Sequence, residues 1–91
     1  MNYEFLEEAR DEVSEAVFYY ETRVPGLGRR FRLEVEDVIR RIVADPLLPR
    51  ERNGGYRRVN CPIFSYYVAY FIRDDKILIA AVAHGHRRPG Y

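Results

Sequence analysis

The last eight residues of the chain concentrate side chains that can carry acid–base and phosphate chemistry. The segment HGHRRPGY, residues 84–91, contains both histidines of the protein, His84 and His86, followed by Arg87, Arg88 and Tyr91. Histidine can give or take a proton near neutral pH. The planar guanidinium of arginine binds phosphate or carboxylate through two parallel hydrogen bonds. The types and spacing of these residues therefore make the C-terminal end the first candidate for a functional site.

Each of these residues also has a structural interpretation. His84 can continue the last strand as a half-buried residue, and His86 can be an exposed turn residue. Arg87 and Arg88 can solvate the terminus or pair with helix carboxylates, and Tyr91 can pack back on the sheet. The residues alone leave the structural and functional interpretations open.

Arginine dominates the basic residues, and charge is unevenly spread along the chain. Lys76 is the only lysine among 15 basic residues; residues 1–22 carry a net charge of −6, residues 23–58 of +5 and residues 59–91 of +2. This distribution predicts a positive surface for an acidic partner. The candidate target-binding residues are Arg57, Arg58, Arg73, Arg87 and Arg88. Arg57 and Arg58 are neighbours on a predicted strand and point to opposite faces, so at most one shares a face with the histidines.

Length and composition narrow the protein class. Ninety-one residues predict a single domain, 1–91. No apolar run is long enough to cross a membrane, and the acidic N-terminal segment does not resemble a secretory signal, so we expect a cytoplasmic protein. The single cysteine, Cys61, excludes an internal disulfide and is expected to be buried. No metal-ligand spacing occurs, so neither a metal nor another cofactor is predicted.

Apolar periodicity predicts two helices followed by three strands. The helices are expected at 7–22 and 27–44, separated by Pro25-Gly26, and the strands at 56–61, 64–73 and 76–84. Asp74-Asp75 predicts a tight hairpin between the last two strands. The segment MNYEF is a candidate short first strand.

This order, (β)ααβββ, predicts an α+β fold in which a helical hairpin covers one face of a small, mostly antiparallel sheet. The other face is expected to be more open, with tyrosine, arginine and histidine side chains available to a partner. Ile79→Ala is expected to be severe because its strand is central, and Glu12→Ala is expected to be mild because it belongs to the polar face of a helix.

Five segments in this order resemble the RelE/ParE superfamily of bacterial type II toxin–antitoxin toxins. They are FLEEARDEVSEAVFYYE, VPGLGRRFRLEVEDVIRRI, GGYRRV, FSYYVAY and AVAHGHRRPGY, which together cover nearly the full length. The closing segment is most similar to the ParE, or plasmid-stabilisation, branch. The segment before the first helix is shorter than the first strand usual in the family.

The resemblance implies a growth-inhibiting toxin with a cognate antitoxin as its main partner. ParE-like members poison DNA gyrase, whereas RelE-like members are mRNA interferases that cut messages on the ribosome. Under the interferase alternative, the catalytic residues would be His84, His86, Arg87 and Tyr91. The lysine-rich site of RelE is missing here, so interferases that use a histidine and a tyrosine near the C-terminus are the closer analogue.

A third interpretation is a non-toxic nucleic-acid binding module, which fits the arginine-rich middle and its tyrosines. None of the three interpretations requires a membrane or a small-molecule ligand.

Overall fold

The computed structural model describes residues 1–85 and has the predicted order of elements. The elements are β1 (Asn2–Phe5), α1 (Glu7–Arg23), α2 (Leu27–Ala44), β2 (Arg57–Asn60), β3 (Tyr66–Arg73) and β4 (Lys76–His84). The strands form one sheet in the order β1-β4-β3-β2. β1 runs parallel to β4, and the other two pairs are antiparallel. The predicted α+β class, the mostly antiparallel sheet and the short first strand are therefore confirmed.

The two helices form a close hairpin that covers one face of the sheet. Their apolar stripes face the sheet, as the periodicity predicted. The buried core comprises Ala9, Ala16, Phe31, Val35, Val38, Ile39, Ile42, Cys61, Val68, Tyr70, Ile77, Ile79 and Val82. A β-carbon at Gly28 would overlap the Val17 carbonyl oxygen, so the helices meet as closely as they do only because glycine is there.

Glu21, near the end of α1, forms hydrogen bonds with the backbone at the start of α2. Its carboxylate accepts hydrogen bonds from the backbone N–H groups of Gly26, at 2.7 Å, and Gly28, at 3.0 Å. The pKa of Glu21 is lowered, and the hydrogen bond from the Gly26 backbone is the largest cause. The carboxylate thus satisfies N–H groups that the first turn of a helix leaves unpaired.

The loop between β2 and β3 is longer than the sequence predicted, because both strands are shorter than expected at this end. The predicted strands 56–61 and 64–73 are observed as Arg57–Asn60 and Tyr66–Arg73. One oxygen of Glu34, on α2, accepts hydrogen bonds from the backbone N–H groups of Ile63, at 3.0 Å, and Phe64, at 2.9 Å. These donors are therefore bound to a helix side chain instead of a neighbouring strand.

The β3–β4 hairpin combines the predicted tight turn with a bulge. Asp74 and Asp75 have φ of 52° and 60°, as a two-residue hairpin turn with left-handed central residues requires. Further along, Tyr70 pairs with Ile79 and Ala69 pairs with Ala81, which leaves Ala80 as the extra residue of β4. The bulge moves the helix-facing positions of β4 from odd to even numbers, so Val82 follows Ile77 and Ile79 into the core.

Within residues 1–85, neither helix has the length and apolar character needed to cross a membrane.

Candidate target-binding face

The sheet face opposite the helices presents two arginines stacked on aromatic rings. The guanidinium carbon of Arg58 lies 4.1 Å from the centre of the Tyr67 ring, and that of Arg73 lies 5.2 Å from the centre of the Phe71 ring. Both distances fall in the range of cation–π contacts. We call Arg58, Tyr67, Phe71 and Arg73, with the alanines between them, the open face.

Small side chains make the middle of the open face shallow. Arg58 pairs with Ala69, which pairs in turn with Ala81, and Tyr67 pairs with Ala83. Side chains of paired residues point to the same side of a sheet, so Ala69 lies between Tyr67 and Phe71 with Ala81 beside it, and Ala83 lies beside Tyr67. Ala69 is only 6% exposed, so a partner on this face would contact the guanidinium groups and the rings and not the backbone at Ala69.

Arg58 has hydrogen-bonding capacity that no described residue uses. Its Nε atom is buried, and within residues 1–85 it has no hydrogen-bond partner. The Tyr67 ring limits the positions that the guanidinium can take, so less side-chain entropy is lost when an acceptor binds. This geometry fits recognition of a carboxylate or a phosphate.

Arg57 points to the other side of the sheet and supports the fold. It pairs with the fully buried Tyr70. Its Nε donates a hydrogen bond of 2.9 Å to the Pro49 carbonyl oxygen, and the Tyr70 hydroxyl donates one of 2.7 Å to the Pro46 carbonyl oxygen. The two side chains hold the loop that follows α2. Arg57 and Arg58 thus point to opposite faces, as the alternation of a strand requires.

His84 lies on the helix-covered side of the sheet, whereas the sequence analysis expected it on the open face. It ends β4, pairs with Tyr66, and its ring centre lies 5.3 Å from that of Tyr66 in an edge-on contact. The bulge at Ala80 is the reason, because it puts His84 in phase with the core residue Val82. The expectation that histidine and arginine meet a partner on one face is therefore wrong for His84 and Arg58.

The remaining predicted site residues, His86, Arg87, Arg88 and Tyr91, lie outside the described residues. Their catalytic or target-binding roles stay predictions, as does the target-binding role of Arg58 and Arg73. Sequence reasoning did not identify Tyr67 and Phe71 as platforms for the arginines. The alternation of β3 indicates that Tyr67, Phe71 and Arg73 share a face. The pairing of β2 with β3 is needed to place Arg58 beside Tyr67.

Cys61 behaves as the core residue that the sequence predicted. It is 8% exposed, and burial, with a smaller effect of the Glu34 charge, raises the pKa of its thiol to about 11. A thiol that stays protonated at neutral pH is a poor nucleophile.

Comparison with known proteins identifies the family of the chain. The family model described as "ParE toxin of type II toxin-antitoxin system, parDE" matches residues 3–89. Toxin ParE2 of Mycobacterium tuberculosis, from strains CDC 1551 / Oshkosh and ATCC 25618 / H37Rv, is 36% identical over 80 residues, which are 87% of this chain and 76% of that protein. A solved chain of the "Chromosomal ParDE TA system from P. aeruginosa" has the same fold, with a TM-score of 0.69, 14% identity, and coverage of 92% of this chain and 95% of that one. Fold, family match and relative agree, and the chain belongs to the ParE toxin family of type II toxin–antitoxin systems.

Proposed function

We propose that this toxin stops growth by binding DNA gyrase and that a cognate antitoxin neutralises it. Membership of the ParE family supports a toxin of this kind. The choice of gyrase as the target rests on one observation, which is that the stacked arginines and the described histidine lie on opposite sides of the sheet. Arg58 and Arg73 stack on rings of the open face, whereas His84 packs against Tyr66 on the opposite side.

This separation favours a contact surface over a cleavage site. Cleavage of RNA by attack of the 2′-hydroxyl needs a base, an acid and a positive group around one phosphate. The histidine and the stacked arginines of the described residues do not converge in that way. A surface of oriented guanidinium groups needs no proton transfer, and it fits acidic side chains of a protein target.

An acidic antitoxin segment would complement the positive region between residues 23 and 58. Such binding should weaken as salt is added, because exposed charges are screened. Gyrase is a cytoplasmic enzyme, so the proposal also places the toxin in the cytoplasm.

Charge reversal on the open face tests the target. Purified toxin is added to a gyrase supercoiling assay as wild type, Arg58→Glu, Arg73→Glu and the control Arg40→Glu. The Arg40 side chain is 70% exposed on α2, on the other side of the molecule from the open face. We expect the first two variants to lose inhibition at least about tenfold, since close charge pairs at interfaces contribute more than 1.4 kcal/mol, and Arg40→Glu to keep it. Far-ultraviolet circular dichroism confirms that the variants are folded.

Histidine variants separate gyrase binding from the interferase alternative. His84→Gln should leave growth arrest intact and the SOS response induced if gyrase is the target. A histidine that acts as acid or base contributes about 10²–10⁴-fold in rate, so under the alternative His84→Gln or His86→Gln should nearly abolish message cleavage. Cut transcripts without DNA damage, or full gyrase inhibition by both open-face variants, would contradict the proposal. Continued growth on induction of the wild type would favour the non-toxic module.

A further inference from the structure

A cleft on the helix-covered side of the sheet combines carboxylates with aromatic rings. It has a volume of about 510 Å³ and lies between α1, β3 and β4. We call it the acidic cleft; its principal lining residues are Glu12, Glu15, Tyr19, Tyr20, Tyr66 and His84. The open-face function described above does not use any of these residues.

The helical repeat of α1 brings the acids and two of the rings to one side. Residues 12, 15 and 19 follow one another at spacings of three and four, so their side chains share a face of the helix. The Tyr20 side chain points towards the sheet, and its ring centre lies 6.2 Å from that of Tyr66. Carboxylates from the helix therefore meet aromatic rings from both the helix and the sheet.

The two glutamates differ in what they already bind. Glu12 Oε1 accepts a hydrogen bond of 2.8 Å from the Val82 backbone N–H, which holds this side chain in place. Glu15 is exposed and forms no hydrogen bond or ion pair within residues 1–85. Glu15 thus keeps a full set of acceptor positions for a ligand, beside a carboxylate whose position is fixed.

The cleft surroundings disfavour additional negative charge. The pKa of Tyr66 is raised to about 12, first by burial and then by Tyr20, Tyr19 and the charge of Glu12. Burial disfavours a charge of either sign, but the carboxylates of Glu12 and Glu15 favour a positive ligand over a negative one. A guanidinium fits better than an ammonium, because its plane can stack on a tyrosine ring while its edge donates two hydrogen bonds to a carboxylate.

The protein itself provides an example of this recognition. The guanidinium carbon of Arg23 lies 3.7 Å from the centre of the Tyr19 ring, at the end of the cleft. Its NH1 atom also donates to the Tyr19 carbonyl oxygen at 3.5 Å. A tyrosine of the cleft wall is therefore already in contact with an arginine.

We propose that the acidic cleft binds an arginine side chain presented by a protein partner. The carboxylate of Glu15 accepts the guanidinium, Glu12 adds negative charge, and the tyrosine rings enclose the side chain. The cleft and the open face lie on opposite sides of the sheet, so the arginine-bearing partner and the target of the open face can bind together. This inference does not depend on gyrase being the target.

A peptide titration tests the chemistry. The full chain, made by cell-free synthesis and labelled with ¹⁵N, is titrated with N-acetyl-Gly-Arg-Gly-amide and followed by amide chemical shifts. We expect saturable shifts at residues of the cleft with a dissociation constant on the order of millimolar, as one charged side chain supports. The matched peptide with citrulline in place of arginine has the same shape without the charge and should cause no saturable shift.

Two matched protein variants show which carboxylate binds. Glu15→Gln should weaken the arginine peptide at least about fivefold, because it replaces a charge-assisted contact with a neutral one. Glu7→Gln, an exposed change in the first turn of the same helix, should leave the affinity unchanged. Equal binding of the arginine and citrulline peptides, or unchanged affinity of Glu15→Gln, would overturn the proposal.

A third variant excludes the competing occupant, which is the C-terminal end of the chain. Arg87→Gln combined with Arg88→Gln should not change the affinity for the arginine peptide if the ligand comes from a partner. If this variant binds the peptide more than about threefold tighter, the chain's own arginines compete for the cleft, and the assignment to a partner is wrong. None of these readouts involves gyrase, so failure here and failure of the gyrase assay can be told apart.

Discussion

Glu12→Ala removes a hydrogen-bond acceptor on which the sheet depends. Glu12 Oε1 lies 2.8 Å from the Val82 backbone nitrogen, just beyond the bulge at Ala80. β1 pairs with β4 only as far as Ile79, so the N–H group of Val82 lies beyond the end of β1, and the helix carboxylate accepts its hydrogen bond. Val82 is 1% exposed, and its N–H group has the Glu12 carboxylate as its acceptor.

The expected loss is about 1.5–3 kcal/mol, the range for a hydrogen bond to a charged group whose buried partner is left unsatisfied. A chain of this length has a total stability of roughly 5–15 kcal/mol, so the change is large. This expected loss is larger than the mild effect predicted from the sequence, because the Glu12 carboxylate accepts a hydrogen bond from the sheet. Glu12→Gln keeps an acceptor oxygen but loses the charge, and should cost about half as much.

Urea unfolding followed by circular dichroism measures both variants, with Glu7→Ala as the control. Glu7 is exposed in the first turn of the same helix, and its loss should change the free energy of unfolding by no more than about 0.5 kcal/mol. Thermal melting gives a second measure, since 1 kcal/mol lowers the midpoint by about 4–8 °C in a domain of this size. Equal midpoints for Glu12→Ala and Glu7→Ala would refute the reasoning, because the Val82 N–H would then have another acceptor or no need of one.

Three further predictions concern the core. Gly28→Ala should destabilise the fold by about 1–3 kcal/mol in urea unfolding, because its β-carbon would overlap the Val17 carbonyl oxygen and force the helices apart. Ile79→Ala should cost about 2–5 kcal/mol in the same assay, since Ile79 is fully buried in the strand between β1 and β3; a loss below 1 kcal/mol would show that this strand is not central. The Cys61 thiol, with its pKa raised to about 11, should react with a disulfide reagent at pH 8 at least about tenfold more slowly in folded than in urea-unfolded protein, and equal rates would contradict its burial.

The sequence by itself determined the elements and their apolar faces. The stripe of α2 at Phe31, Val35 and Val38 repeats at helical spacing, and all three residues are buried. Asp74-Asp75 accepts the left-handed angles of a tight hairpin. These features depend on neighbours along the chain, and such local preferences can be read without knowing the fold.

Only the tertiary structure decided how those elements meet. A single unpaired residue, Ala80, reverses which side of the sheet the end of β4 faces, and it carries His84 away from Arg58. The register between β2 and β3 brings Arg58 over Tyr67, and the docking of α1 against β4 gives Glu12 its contact with Val82. These contacts join residues far apart in the chain, and their geometry follows from strand register and helix packing, which no local pattern of residue types specifies.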